Sequence, residues 1–106
     1  MVRVRAIQGD SFGFVGRIPA NFADGYFLGW DMKCQVRNIN DSLVAELLVA
    51  WVDPVETRLF EITDTAGTSA WPVGDLFFDL RMVSPSGTIK RTPKMIIQCE
   101  KGVTRV

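Results

Sequence analysis

Apolar and polar residues alternate along most of this chain. The clearest run is residues 28–37. Leu28, Trp30, Met32, Cys34 and Val36 share one face, and Gly29, Asp31, Lys33, Gln35 and Arg37 share the other. A period of two marks a half-buried strand, because successive side chains of a pleated backbone point to opposite sides. Residues 76–83 repeat the pattern, with Leu76, Phe78, Leu80 and Met82 inward against Phe77, Asp79, Arg81 and Val83. The turn before them, Trp71-Pro72-Val73-Gly74-Asp75, uses proline to fix one φ and glycine to allow a positive one. Trp71 is placed there to cover one end of the core.

Shorter runs fill the rest of the chain. Residues 2–8 predict an edge strand, where Arg3 and Arg5 discourage unwanted pairing. Residues 11–17 predict a strand or its continuation, with Phe12, Phe14 and Gly16 on one face. Residues 18–25 predict a loop whose aromatics, Phe22 and the adjoining Tyr26, either dock on the end of the core or stand out for a partner. Residues 57–63 predict a strand with Phe60 and Ile62 on one face and Leu59 and Glu61 on the other, and residues 88–91 leave a hairpin turn at Pro85-Ser86-Gly87. Residues 94–100, after Pro93, which marks an edge or a break, carry Met95, Ile97 and Cys99 inward. Both 2–8 and 94–100 are expected at sheet edges, open to pairing with another chain.

Residues 43–53 are ambiguous. Leucine and alanine suit a helix, but Val44, Val49, Trp51 and Val52 between turn signals decide for a strand. One face is then Leu43, Ala45, Leu47, Val49 and Trp51. The other is Val44, Glu46, Leu48, Ala50 and Val52, which is unusually apolar for a surface facing water. Leu48, Ala50 and Val52 are therefore candidate partner-binding residues, with cover by a neighbouring loop as the other explanation. In all, seven or eight short strands and no helix predict an all-β fold, an antiparallel immunoglobulin-like β-sandwich in one domain spanning residues 1–106. An open barrel of the OB type is the alternative.

Composition narrows the function. At 106 residues and 47% hydrophobic the chain can bury one core without staples. Twelve basic and twelve acidic residues cancel, which leaves no electrostatic footprint for nucleic acid or an anionic membrane. The longest apolar stretch, residues 47–52, is far too short to span a bilayer. Met1-Val2-Arg3-Val4-Arg5 has no apolar run behind it, so the expectation is a soluble product made in a cytoplasm.

The chain has no histidine, and so lacks the commonest general base and the commonest zinc ligand. Cys34 and Cys99 fall on inward faces and read as buried thiols; a disulfide would require their strands to face each other across the core. Gly9, Gly13 and Gly16 do not meet the dinucleotide fingerprint. Asp75 and Asp79 read as a turn cap and a surface residue. No catalytic residue, cofactor or metal site is expected, and the chain is not expected to be an enzyme. Trp30 and Trp51 belong to the core by their faces. Trp71 and Tyr26, near loops, are the candidates for contact with a ligand such as a sugar.

A set of segments in a fixed order adds one thing more. Gln8-Gly9-Asp10-Ser11-Phe12 opens into a Phe-rich strand. Gly29-Trp30 leads an alternating strand to Gln35-Val36-Arg37, and the next strand begins Leu43-Val44-Ala45. Trp71-Pro72-Val73-Gly74, a spacer and Asp79-Leu80 follow, then the Ser86-Gly87-Thr88 hairpin and a last strand closed by Val103-Thr104-Arg105. In this order, over nearly the whole chain, the sequence resembles the immunoglobulin-like N-terminal module of baseplate upper proteins in long-tailed phages. The resemblance implies a phage or prophage protein of the tail, baseplate or fibre region, a virion component or assembly factor acting by assembly and without catalysis. Its partners would be other phage structural proteins, with homo-oligomerisation expected from the symmetry of virion parts. It would be made in the host cytoplasm and carried into the virion. A carbohydrate-binding module for host surface glycans, using Trp71 and Tyr26, is the rival reading.

Overall fold

The computed structural model describes residues 3–103, so Val2 of the expected first strand and Thr104-Arg105 of the closing segment lie outside the described residues. Eight strands follow in chain order: β1 (Arg3–Gln8), β2 (Gly13–Arg17), β3 (Asp31–Arg37), β4 (Leu43–Trp51), β5 (Leu59–Thr63), β6 (Gly74–Val83), β7 (Ile89–Arg91) and β8 (Met95–Lys101). They form one path, β1-β8-β6-β3-β4-β5-β2, which curls into a half-barrel, with β7 beside β6. The described residues contain no helix.

The two best alternating runs lie side by side at the centre. β3 and β6 pair antiparallel from Asp31↔Val83 to Arg37↔Phe77. Every expected inward residue of β6 is buried: Leu76, Phe78, Leu80 and Met82. On its other side β6 is shared. β8 takes its first half, from Gly74↔Cys99 to Phe78↔Met95, and β7 takes Arg81 to Val83. The chain steps from β7 to β8 at Thr92, whose hydroxyl accepts from the Leu80 N–H at 2.9 Å, and Pro93 ends the pairing there.

β4 is the strand that curls the sheet. Its first half pairs with β3, from Leu43↔Arg37 to Leu47↔Cys34. Its second half pairs with β5, from Leu48↔Thr63 to Trp51↔Phe60, and β5 in turn carries β2. One strand thus belongs to both halves of the fold, and the inward faces of the halves meet across it.

The sequence expectation needs correction at four places. The fold is all-β, but the sheet is mixed: β1 runs parallel to β8, from Arg3↔Ile96 to Gln8↔Lys101. β8 is therefore an inner strand and no edge; the edges of the path are β1 and β2. Residues 28–30 are not strand. Gly25 and Gly29 adopt φ values of 81° and 80°, so residues 20–29 wind through tight turns and Leu28 is left exposed. Finally, the register slips by one residue beside Arg37. That slip turns Val44 toward the core and leaves Leu43 exposed, the reverse of plain alternation.

The core is organised by aromatic rings. Trp71 meets Phe12 at 5.4 Å between centroids, Phe12 meets Phe78 at 6.4 Å, and Phe78 meets Phe14 at 5.8 Å. The column continues through Phe60 and Trp51 to Phe27, then to Trp30, Tyr26 and Phe22. Phe77 alone among the aromatics stands outside it. Inward glycine makes room: a Cβ on Gly16 would lie 2.1 Å from the Phe60 ring.

Polar side chains pin the connections. Arg58 has only 16% of its side chain exposed and grips residues 18–24. Its guanidinium donates to the Ile18, Pro19 and Phe22 carbonyls at 2.9, 2.8 and 2.6 Å and to Asp24 Oδ1 at 2.7 Å. Thr68, fully buried, accepts from the Gly9 N–H at 2.9 Å and donates to the Asp10 carbonyl at 2.5 Å. Asp64 accepts from the Phe12 and Gly67 N–H groups at 2.7 and 2.9 Å. Each satisfies backbone groups that no strand can reach.

Two predictions follow from this packing. Gly16→Ala drives a methyl into the Phe60 ring and is expected to cost about 1–3 kcal/mol in denaturant unfolding. Arg58→Ala orphans the partly buried carbonyls of residues 18–22 and is expected to cost about 2–4 kcal/mol. Arg58→Lys recovers little of that, because an ammonium cannot reproduce the guanidinium fork. Hydrogen exchange at residues 18–24 should rise in both Arg58 variants.

Candidate functional site

The second half of β4, together with β5 and β2, forms a three-stranded wall. Its inner face carries Phe14, Phe60, Ile62 and Trp51 into the core. Its outer face follows from the register. Ala50 lies opposite Glu61, and Glu61 opposite Val15; Leu48 lies opposite Thr63, and Thr63 opposite Gly13; Arg17 lies opposite Leu59. Val52 donates its N–H to the Leu59 carbonyl at 2.9 Å, which extends the wall by one row.

Leu48, Ala50 and Val52 are thus brought together and left uncovered. Leu48 is 60% exposed, Val52 56%, and Val15 on the far strand 57%. Among the described residues no loop covers them, which was the other explanation open from the sequence. Glu61 stands in the middle of the face and Arg17 at its rim, and neither has an ion-pair partner among the described residues. This is an apolar patch with one carboxylate inside it and one guanidinium at its border. An exposed apolar surface of this kind suits contact with another macromolecule.

Sequence reasoning missed Val15. The alternation of residues 11–17 does turn it outward, but no sequence signal says that β2 lies two strands from β4. Trp71 needs correction as a contact residue. It is 2% exposed, packs on Phe12, and its carbonyl accepts from the Gln8 side chain at 2.7 Å. Burial of its indole against the core leaves no face for a partner or a sugar. Its expected role as the cover of one core end stands. Tyr26 is 44% exposed but rests against Phe22, Phe27 and Trp30. It sits where residues 20–29 meet the 53–57 turn through the Gly25 N–H and the Glu56 carbonyl, at 2.7 Å.

A shallow groove of about 500 Å³ crosses the outer face of β3 and β6. Gln35, Arg37, Phe77, Asp79, Arg91 and Lys94 line it. Its charges largely neutralise one another: Arg91 pairs with Asp79 at 3.6 Å and Arg37 with Asp41 at 3.9 Å. The Lys94 ammonium lies over the Phe77 ring, 5.1 Å from its centroid. No cluster of three or more metal-ligating side chains occurs among the described residues.

Cys34 and Cys99 are free, buried thiols. They lie on strands flanking β6, Cys34 opposite Leu80 and Cys99 opposite Gly74. Six residues of strand separate those levels, about 20 Å, which no disulfide bridges. Burial, then the negative charge of Asp79, pushes the Cys34 thiol up to about 12. Burial and Glu100 raise Cys99 as well. Neither thiol is a nucleophile at neutral pH. Compared with protein-family models and with curated proteins, the chain matches none.

The thiols make a prediction with a definite sign. The unfolded Cys34 ionises near its ordinary value of 9.0 and the folded one near 12. The folded state therefore holds a proton that the unfolded state has lost, and stability falls as pH rises through this window. Cys34→Ala should flatten that alkaline decline in denaturant unfolding. In the native protein at pH 8, both cysteines should resist a thiol reagent that labels them at once in denaturant.

Proposed function

We propose that this chain is an immunoglobulin-like module of a phage or prophage particle, without catalysis, that works by protein–protein contact in the tail, baseplate or fibre region. The exposed apolar face of Leu48, Ala50, Val52 and Val15 carries the reading. A chain with no net charge and an uncovered apolar wall is suited to assembly with other proteins. The immunoglobulin-like part is supported by strand order. β2, β5 and the second half of β4 oppose β3, β6 and β8, and the chain crosses between the two groups from β2 to β3 and from β5 to β6, as in a Greek key. The resemblance of the ordered segments to baseplate upper modules supplies the phage context. On this reading the protein is made in the host cytoplasm and joins the virion with other structural proteins. The glycan reading has less support, because Trp71, one of its two candidate contact residues, is buried.

Leu48→Lys and Val52→Lys place charges on a face that makes no internal contact of consequence. Each should change folding stability by no more than about 0.5 kcal/mol. Each should also sharply reduce binding to purified tail assemblies, measured by mass spectrometry of the washed particles. Undiminished incorporation of both variants would remove the face from the mechanism.

A further inference from the structure

Hydrogen-bond parity singles out three residues of β2. In the β4–β5 pair, Val52 donates to Leu59, so the odd positions of β5 spend their backbone groups on β4. The even positions must then serve β2. Ile18 donates to the Arg58 carbonyl at 2.8 Å and Asp64 to the Phe12 carbonyl at 3.1 Å, in keeping with this. In β2 itself, Phe14 and Gly16 therefore bond to β5. Gly13, Val15 and Arg17 point their N–H and C=O groups away, along the open edge of the path.

We infer that this edge pairs with the same edge of a second copy, antiparallel, about a twofold axis through Val15. The inference rests on the reading of the chain as an assembly protein and names one of its partners. Three observations carry it. First, the strand is self-complementary. With Val15 on the axis, Val15 meets Val15 of the other copy and Gly13 meets Arg17, so all three free residues find partners, in about six main-chain hydrogen bonds. No other centre pairs all three with residues of β2 itself.

Second, charge is complementary across the axis. Arg17 and Glu61 lie on the same outer face and have no ion-pair partner among the described residues. In the pair, Arg17 crosses the bare backbone of the other copy's Gly13 toward its Glu61. Strand spacing of about 4.8 Å and a rise of about 3.4 Å per residue put those two Cα atoms roughly 12 Å apart. Two extended side chains span that distance.

Third, the edge is lightly defended: its one charge, Arg17, stands at the end of the strand. Val15 is 57% exposed at its middle, and no lysine, proline or bulge interrupts it. β1, the other edge, carries Arg3 and Arg5 in ion pairs with Asp75 and Glu100. Pairing at β2 would extend the three-stranded wall into six strands and join two apolar patches into one face.

The test is sedimentation of the full chain over a concentration series. Wild type should dimerise. Arg17→Glu and Glu61→Arg each set like charges across the axis and should raise the dimer dissociation constant at least about tenfold. An equimolar mixture of the two variants restores both contacts between unlike chains and should dimerise like wild type. A contact within one chain cannot produce that recovery. Wild type that stays monomeric to millimolar concentration, single variants that associate normally, or a mixture that stays monomeric would each overturn the pairing. Leu48→Lys should keep the dimer. A dimer that fails to bind tails sinks the proposed function and leaves the pairing standing; tail binding by a strict monomer does the reverse.

Discussion

A continuous column of aromatic rings holds the two faces of this half-barrel together. It starts at Trp71, crosses through Phe12, Phe78, Phe14 and Phe60, and ends in the cluster of Phe27, Trp30, Tyr26 and Phe22. The Phe14–Phe78 contact is edge-on, at 81°, and ties β2 directly to β6. Each such pair adds about 0.5–1.5 kcal/mol to the area it buries. Much else is shaped to suit the column. Gly16 exists because Phe60 lies beneath it, and Arg58 and Thr68 secure the two ends where rings come nearest to water. No disulfide is needed where rings already span the gap.

The strands were legible in the sequence wherever one face meets water. β3 and β6 alternate so regularly that their inward residues could be named in advance, and from Met32 to Met82 they are as expected. Failure came where local geometry breaks the period. The glycines at 25 and 29 halt a strand that the apolar pattern would have continued to Leu28. The slip beside Arg37 exchanges Leu43 and Val44, because one extra residue inverts every assignment upstream of it. Pairing was not legible at all. Nothing in residues 94–100 says that a parallel neighbour will cover them, so a strand that alternates like an edge strand turned out to be internal.

The same limit applies to the candidate surface. Leu48, Ala50 and Val52 were visible as an apolar face, since a strand that is hydrophobic on both sides must meet something on each. What they meet depends on β4 changing partners halfway along, from β3 to β5. Before the change, its off-core residues are Glu46, close to Lys33 and Gln35, and Leu43, which the slip leaves exposed. After it, the off-core residues are apolar and bare. Trp71 fails as a surface candidate for the opposite reason: a turn residue in sequence became a core residue once Phe12 and Gln8 closed over it.

β2 separates what the core demands from what the surface chooses. Its even positions belong to the column: Phe14 because it must reach Phe78, and Gly16 because it must clear Phe60. Its odd positions are exposed and pack on none of the described core. A strand that only had to stay apart from other chains would carry charge there, as β1 does with Arg3 and Arg5. Instead the free backbone at Gly13 and Val15 is bordered by a side chain that is absent and one that is apolar. The only charge, Arg17, stands two residues from the axis, where it can meet an opposite charge and does not face itself. Core packing explains none of these three choices, and an edge made to be paired explains all of them.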